Sequence, residues 1–405
     1  MRIAVISIYS FPVGFATTNR ILAYSKGMVG NGAEVAIFNP FPTDAFNSTQ
    51  YGNEGVFEGV SYNFTSGRHL CRYRLFRGIA RLSGLRRITG YFTSCYKIYK
   101  EHKKKRFNCL IISTDEIRSL WVYSNFARIL NIPSVFIFDE FPTPIRHKLK
   151  NRIPDWKEYL YKRVLKKING YISISDELKT FYCHLADKPS YILSVIVDIS
   201  RFDASKINTQ MPDEGKYLCY MGNMELSKDD VDNIIRSFAL ISHKYGDLKF
   251  YLYGVPTPNT VKYLEDLIIS LKLEQKVFLK GKAISTAVPQ ILYNSYILVS
   301  SQPDTKRASG GFPTKLGEYL ATGIPALLTD VGENAKYVKD NEHAFFSKPG
   351  DPEAYAEKLS YIIDNYDHAL RIAENGQHLL FDNFSHIAKG KEMLNYISTL
   401  QKSGC

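Results

Sequence analysis

Short apolar runs alternate with longer amphipathic stretches along the first half of the chain. Residues 2–8 and 33–38 are mostly apolar, as buried strands are. Between them, residues 17–29 have a helical period that ends at a Gly-Asn-Gly turn. Residues 109–113 and 134–138 are two further apolar runs, each preceded by a helical pattern. This alternation predicts an α/β domain built on a doubly wound parallel sheet.

A second alternation follows a polar stretch at residues 203–215 that has no apolar period. It predicts strands at 217–220, 249–254 and 277–279, with helices at 230–245 and 259–271 between them. We therefore expect two Rossmann-like domains, one at residues 1–202 and one at 203–383. A last amphipathic pattern, at residues 384–401, predicts a C-terminal helix.

The segment from residue 296 to residue 329 has the pattern of a strand, a loop, a short helix and a second strand. Pro313 stands at the first helical position and Gly323 just past the end. Loops of this kind present free backbone N–H groups to an anion at the helix N-terminus. Thr314, Lys315 and Glu318 share one helix face, which suits a diphosphate followed by a sugar hydroxyl. A Lys–Glu pair on an ordinary surface helix is the alternative interpretation.

Residues 311–325 read GFPTKLGEYLATGIP, followed by TDVGE at 329–333. This segment resembles the donor site of family-4-type retaining glycosyltransferases. The resemblance implies the GT-B fold, in which two Rossmann-like domains face each other across a cleft, and a nucleotide diphosphosugar as donor. In that family, two glutamates separated by seven residues flank the segment, and the second holds the nucleotide ribose. Glu318 matches the second glutamate, whereas Gly310 stands where the first would be.

The loop after the second domain's first strand carries a further part of the resemblance. The family usually has Gly-Arg there, with a lysine six residues after the glycine. Gly222 and Lys228 keep that spacing, and Asn223 replaces the arginine. Lys282, Lys306, Arg307 or Lys315 would then supply the missing charge on the diphosphate. The donor-binding residues implied are Gly222, Asn223, Lys228, Gly281, Lys282, Gly311, Phe312, Pro313, Thr314, Lys315 and Glu318.

The first domain supplies the acceptor side in this family, and its C-terminal helix crosses back onto that domain. Gly14 and Phe15 lie in the loop after the first predicted strand. Asp139 and Glu140 follow the strand at 134–138, where carboxylates could handle a proton or bind sugar hydroxyls. Their segment resembles an acceptor-side segment of some family members, although a solvated loop pair is the alternative. We expect Lys228, Glu318, Asp139 and Glu140 to be the catalytic group.

The net charge of +12 is concentrated between residues 68 and 106. That segment holds thirteen Lys or Arg and one acid, so its excess equals that of the whole chain. Interleaved apolar residues give it the composition of basic amphipathic helices, which predicts binding to an anionic membrane surface. A second basic cluster, at residues 146–167, surrounds Trp156 and Tyr159. A solvated basic face is the alternative; nucleic-acid binding is not expected, since no known motif supports it.

Other features restrict the compartment and the chemistry. No apolar run approaches the roughly 20 residues that span a bilayer, and the N-terminal apolar run reads as a strand rather than a signal peptide. The six cysteines show no CxxC and no metal-ligand spacing, which is typical of reduced cytosolic thiols. Asp230-Val231-Asp232 matches a metal-binding signature, but it opens a helix, where acids favour the dipole. We expect no metal and no cofactor.

These features together predict a cytoplasmic retaining glycosyltransferase, peripherally associated with the inner face of the cell membrane. It would move a sugar from a nucleotide diphosphosugar to a hydroxyl on a lipid-linked or surface-polysaccharide precursor. Catalysis would come from positioning and from neutralising the leaving diphosphate. One alternative is an isomerase of the nucleotide-sugar 2-epimerase type. Another is a non-catalytic relic that binds glycan or a partner protein, which the glycine at 310 supports.

Overall fold

The computed structural model describes residues 1–14, 16–43, 51–68, 80–114, 116–142, 145, 152–207, 215–309 and 314–402, with the backbone alone at 80–87, 206, 307, 309, 314 and 402. The chain divides into two units. One comprises residues 1–198 together with 385–405, and the other comprises residues 199–384. Each unit is built around its own parallel sheet.

Within the described residues, eight strands form the sheet of the first unit. They are β1 (Arg2–Ser7), β2 (Glu34–Asn39), β3 (Glu54–Phe57), β4 (Val60–Phe64), β5 (Cys109–Ser113), β6 (Ser134–Phe138), β7 (Gly170–Ser173) and β8 (Ser190–Ile192). Their order is β3-β4-β2-β1-β5-β6-β7-β8, and all neighbours are parallel except β3 and β4. Every residue of β5 and β6 is buried, which explains why each has only one polar residue: helices cover both faces of the sheet.

Helices connect these strands in the first unit. They are α1 (Ala16–Gly30), α2 (Ala80–Lys104), α3 (Ile117–Ile129), α4 (Asp155–Leu165) and α5 (Asp176–Leu185). Ser175 caps α5, because its hydroxyl oxygen accepts a hydrogen bond from the Leu178 N–H at 3.2 Å. In the part of the chain that the structure describes, no helix has both the length and the apolar character needed to cross a membrane.

Six described strands form the sheet of the second unit. They are β9 (Tyr217–Met221), β10 (Lys249–Tyr253), β11 (Val277–Gly281), β12 (Ile297–Val299), β13 (Ala326–Thr329) and β14 (Phe345–Ser347). Their order is β11-β10-β9-β12-β13-β14, with all neighbours parallel. The order reverses between β9 and β12, and parallel sheets of this kind bind ligands at the carboxyl ends of such a pair.

The helices of the second unit are α6 (Val231–Ile241), α7 (Pro258–Ser270), α8 (Val288–Tyr293), α9 (Lys306–Ser309), α10 (Thr314–Thr322), α11 (Asn334–Tyr337), α12 (Pro352–Asp364) and α13 (Tyr366–Asn383). The α/β class with two Rossmann-like domains is confirmed. Predicted element ends differ from the observed ones by two residues or fewer in most cases. The largest difference is at α6, which ends at Ile241 rather than at residue 245.

The last helix, α14 (His386–Lys402), belongs to the first unit and packs against α1. The two helices approach so closely that their backbones touch at a pair of glycines. A Cβ added at Gly27 would lie 1.8 Å from the His386 carbonyl oxygen, and one added at Gly390 would lie 2.1 Å from the Gly27 carbonyl carbon. Only glycine fits at either position without moving one helix away from the other.

Candidate functional site

Three glycines shape the carboxyl edge of the second sheet. The Gly222 N–H donates to the Tyr253 carbonyl oxygen and the Gly254 N–H donates to that of Gly281, each at 2.9 Å. These bonds continue the pairing beyond the ends of β9, β10 and β11. A Cβ at Gly254 would lie 1.7 Å from the Gly222 carbonyl oxygen, so this contact requires glycine. We call these three residues, Gly222, Gly254 and Gly281, the glycine platform. Because they have no side chains, a ligand could come close to the main chain there.

Tyr319 fixes helix α10 against this edge. Its hydroxyl accepts a hydrogen bond from the Met221 N–H at 3.1 Å and donates one to the Val299 carbonyl oxygen at 3.2 Å. The ends of β9 and β12, between which the strand order reverses, are thus both tied to one buried side chain. The arrangement brings the first turn of α10, with Lys315, to the loop that follows β9.

Lys315 contacts buried polar groups in that region. Its Nζ forms an ion pair with the Asp229 carboxylate and donates to the Tyr220 hydroxyl at 3.0 Å. It also lies 4.3 Å from the centre of the Tyr220 ring. Burial lowers the pKa of the Lys315 amine, and the Asp229 carboxylate opposes that shift. Gly222 faces the end of this lysine, since an added Cβ would lie 2.6 Å from Cε.

Glu318 has a separate partner. Its Oε1 lies 2.7 Å from Nη1 of Arg201, and both side chains are largely buried. The Arg201 Nη2 also donates to the Ser285 carbonyl oxygen at 3.4 Å, in the loop after β11. Lys315 and Glu318 therefore pair with different residues, and the interpretation of the two as one surface pair is wrong. Sequence reasoning missed Arg201, whose position gives no local signal for this contact.

The loop after β9 brings Lys228 toward Lys315. The Lys228 N–H donates to the Glu225 carbonyl oxygen at 2.7 Å, which closes a turn. Its positive charge also contributes to the lowered pKa of Lys315, although burial is the largest cause. Asn223 and Lys282 lie on exposed loops that follow β9 and β11 respectively. The structure thus collects Gly222, Lys228 and Lys315 in one place.

Several predicted positions lie outside the described residues. They are Gly310, Gly311, Phe312 and Pro313 in the second unit and Phe15 in the first. Thr314 begins α10 in the backbone, and its side chain is not described. No structural outcome is assigned to these positions.

The two acids at the start of α6 lie in different surroundings. Burial raises the pKa of Asp230 to about 6, and the nearby Asp232 carboxylate adds to the shift. Asp232 in turn accepts a hydrogen bond from the Tyr263 hydroxyl at 2.9 Å. Among the described residues, no group of three His, Cys, Asp or Glu side chains is arranged to hold a metal ion.

The acceptor-side candidates lie at the carboxyl edge of the first sheet. Oδ1 of Asp139 lies 3.0 Å from Nε of Arg20, whose Nη1 donates to the Ser194 carbonyl oxygen at 3.1 Å. Burial raises the pKa of Asp139, Arg20 lowers it, and the charge of Glu140 raises it further. Gly14 packs on Thr18, whose hydroxyl donates to the Ser10 carbonyl oxygen at 2.6 Å. Arg20, inside α1, was not predicted as part of this site.

The second unit is similar to a described protein family. The model of that family, "Glycosyl transferases group 1", matches residues 202–379. No curated protein sequence matches the chain.

Solved structures resemble the chain over almost its whole length. Sucrose-phosphate synthase from Thermosynechococcus elongatus is 14% identical with a TM-score of 0.72, and 99% of each chain is covered. A glycosyltransferase from Rickettsia africae is 16% identical with a TM-score of 0.72, covering 99% of this chain and 98% of its own. Anabaena HepE, solved with UDP and glucose, is 15% identical with a TM-score of 0.70, covering 98% and 100%. At these identities the likeness shows the fold, which is GT-B.

Proposed function

We propose that this protein is a glycosyltransferase that transfers a sugar from a nucleotide diphosphosugar to a hydroxyl acceptor with retention of configuration. It has the GT-B fold, and its residues 202–379 match the model of the group 1 glycosyltransferases. The main support is the contact of α10 with the end of β9. Through Tyr319, that contact brings Lys315 to Gly222 and close to Lys228, and Glu318 lies one turn further along α10. Proteins bind the phosphates of a nucleotide at a helix N-terminus and its ribose hydroxyls with a nearby carboxylate.

Lys228 is the cation that we assign to the diphosphate. Lys315 already has Asp229 as its counter-ion, so its positive charge is largely neutralised within the protein. Charge on the diphosphate grows as its bond to the sugar breaks, and a nearby ammonium together with backbone N–H groups stabilises that charge. Lys315 then serves to shape the platform, and Glu318 binds the ribose hydroxyls. This chemistry needs no metal ion, because protein groups supply the positive charge.

The acceptor that we propose is a lipid-linked or surface-polysaccharide precursor at the cytoplasmic face of the membrane. The support is the basic composition of residues 68–106, of which 69–79 lie outside the described residues. The described side chains of α2 include Lys97, Lys100, Lys103 and Lys104 against Glu101. Each basic residue close to an anionic membrane contributes about 1 kcal/mol of attraction.

The test is incubation of the purified protein with a panel of nucleotide sugars, with and without membrane extract and with and without EDTA. Nucleotide release that needs extract and survives EDTA is the expected result. Interconversion of the sugar without net release would instead indicate an isomerase. No turnover of any donor in either arm would indicate a protein that binds glycan or a partner without catalysis. Release abolished by EDTA and restored by a divalent cation would contradict metal-independent transfer.

A further inference from the structure

Helix α2 exposes a stripe of large apolar side chains. Ile88, Phe92, Tyr96 and Tyr99 follow one another at intervals of four, four and three residues, so they lie on one side of the helix. Phe92 is 73% exposed and Tyr96 is 69% exposed, whereas Ser94 and Ile98 on the inner side are buried. A helix that already buries one apolar side does not need a second one for its own folding.

An open groove of about 350 Å³ connects this region to the next two helices. Tyr91 of α2, Trp121 and Val122 of α3, and Leu160 and Val164 of α4 contribute to its lining. The lining is apolar apart from Arg118, which lies at the start of α3. Residues of three helices therefore line this one groove.

Helix α4 extends the same surface. Trp156, Tyr159 and Leu160 share one side of the helix and are all exposed, while Tyr161, Val164 and Leu165 face inward. Trp156 is 66% exposed and Trp121, on α3, is 54% exposed. We call the exposed set the aromatic face; its members are Ile88, Phe92, Tyr96, Tyr99, Trp121, Trp156, Tyr159 and Leu160.

Positive charges accompany the aromatic face. Nζ of Lys103 lies 5.5 Å from the centre of the Tyr99 ring, and Nζ of Lys167 lies 5.9 Å from that of Trp121. The acids on these helices have partners. Glu101 pairs with Arg2 at 3.0 Å and Asp155 with Arg152 at 3.8 Å, Glu158 pairs with Lys162 at 2.6 Å, and Glu116 accepts from the Ser119 hydroxyl at 2.9 Å. Trp and Tyr favour the zone between lipid headgroups and acyl chains, and lysines beside them favour anionic headgroups.

We propose that the aromatic face inserts into the interfacial layer of an anionic bilayer, and that the groove at Trp121 and Leu160 receives part of a lipid acyl chain. This inference rests on the proposed function insofar as the bilayer would carry the acceptor. It differs from attraction by charge alone in one measurable respect. Salt screens the electrostatic part over a Debye length of about 8 Å at physiological ionic strength, but it does not weaken the burial of apolar side chains.

The chain has two tryptophans, and both belong to the aromatic face, so intrinsic fluorescence reports directly on it. The variants Trp121→Phe and Trp156→Phe each leave one reporter. The full chain is mixed with vesicles of phosphatidylglycerol and phosphatidylcholine that carry nitroxide-labelled acyl chains. We expect a blue shift and quenching of each tryptophan, with a measurable part of both remaining in 0.5 M NaCl.

Two other outcomes would overturn the proposal. Sedimentation with the vesicles and unchanged emission from both tryptophans would mean that charge alone holds the protein at the membrane. A blue shift that grows with protein concentration in the absence of vesicles would mean that a second copy of the chain covers the aromatic face.

A substitution experiment tests the same face without fluorescence. The triple variant Phe92→Ser, Tyr96→Ser and Trp156→Ser should lower vesicle binding in 0.5 M NaCl by tenfold or more. Ile269→Ser, which removes an exposed apolar side chain from α7 of the other unit, is the matched control and should bind as the wild type does. Normal binding by the triple variant would refute insertion by this face.

The affinities for UDP, GDP, ADP, CDP and dTDP, measured by calorimetry on the same samples, separate this inference from the proposed function. The triple variant should bind nucleotide as the wild type does, because its three changes lie in the first unit. Wild-type protein that binds nucleotide and never inserts would refute the membrane face alone. Wild-type protein that inserts and binds no nucleotide would refute the proposed function alone.

Discussion

The guanidinium group of Arg201 lies 2.7 Å from the Glu318 carboxylate, which joins α10 to the short 3-10 helix Ile199–Phe202 that begins the second unit. The same arginine donates to the carbonyl oxygen of Ser285 in the loop after β11. Arg201 thus connects two segments at the carboxyl edge of one sheet. Its ion pair with the Glu318 carboxylate holds that carboxylate in place.

Glu318→Ala should weaken the binding of a nucleoside diphosphate by about 1.5 to 3 kcal/mol, the range for hydrogen bonds to a charged group. That corresponds to roughly a ten- to hundredfold rise in the dissociation constant measured by calorimetry. Glu357→Ala, which removes an exposed acid from α12, is the control and should leave the affinity unchanged. Equal affinities for folded wild type and Glu318→Ala would remove Glu318 from the donor site.

Lys315→Met should destabilise the second unit strongly. It leaves the Asp229 carboxylate, which is 2% exposed, without its counter-ion. Removing one partner of such a buried pair typically costs about 3 to 5 kcal/mol. Lys244→Met breaks an exposed pair with Asp364 and should cost far less, because solvent screens such a pair. Both shifts can be measured as changes in the urea unfolding midpoint.

The double variant Lys315→Met with Asp229→Asn checks that the cost comes from the pair. Because each single change strands the other group, the double variant should lose much less stability than the two single losses added together. Simple additivity would show that Lys315 and Asp229 stabilise the protein independently of each other.

Lys228→Ala should lower kcat by roughly a hundredfold, while the nucleotide affinity changes much less. The reason is that negative charge on the diphosphate is larger in the transition state than in the bound donor. Lys228→Arg retains the charge and should recover part of the rate. Lys262→Ala, at an exposed lysine on α7, serves as the control. If Lys228→Ala raised KM and left kcat unchanged, that result would argue against a role of Lys228 in the transition state.

Asp230 should make stability depend on pH in the acid range. Its pKa is raised to about 6 in the folded protein, from about 3.9 in an unfolded chain. The folded state therefore holds the proton more tightly, and the stability that this gives below pH 4 is lost as the pH rises to 6.

Asp230→Asn removes this dependence. Its melting temperature relative to wild type should rise between pH 4 and pH 7 and then level off. Asp247→Asn, at an exposed acid in the turn before β10, should give a constant difference over the same range. If the difference in melting temperature between Asp230→Asn and wild type were also constant from pH 4 to pH 7, the pKa of Asp230 would not be raised in the folded protein.

The order of strands and helices followed from the sequence because it depends on local pattern. Residues 109–112 are all apolar, and a short apolar run between amphipathic helices fits a strand covered on both faces. The end of α10 was also predicted from the sequence, because glycine commonly follows the last residue of a helix. Gly323 has a positive φ of 67° at that position. Glu318 and Lys315 were predicted as site residues from their spacing and from the family resemblance of their segment.

Their partners were decided by the tertiary structure alone. Arg201 is 117 residues from Glu318 along the chain, and Asp229 is 86 residues from Lys315. A contact over such a distance depends on the strand order and on how deeply each loop is buried, neither of which leaves a periodic signal. The sequence could therefore name the charged groups, whereas only the packing of α10 against β9 determined that Lys315 pairs with the buried Asp229 carboxylate.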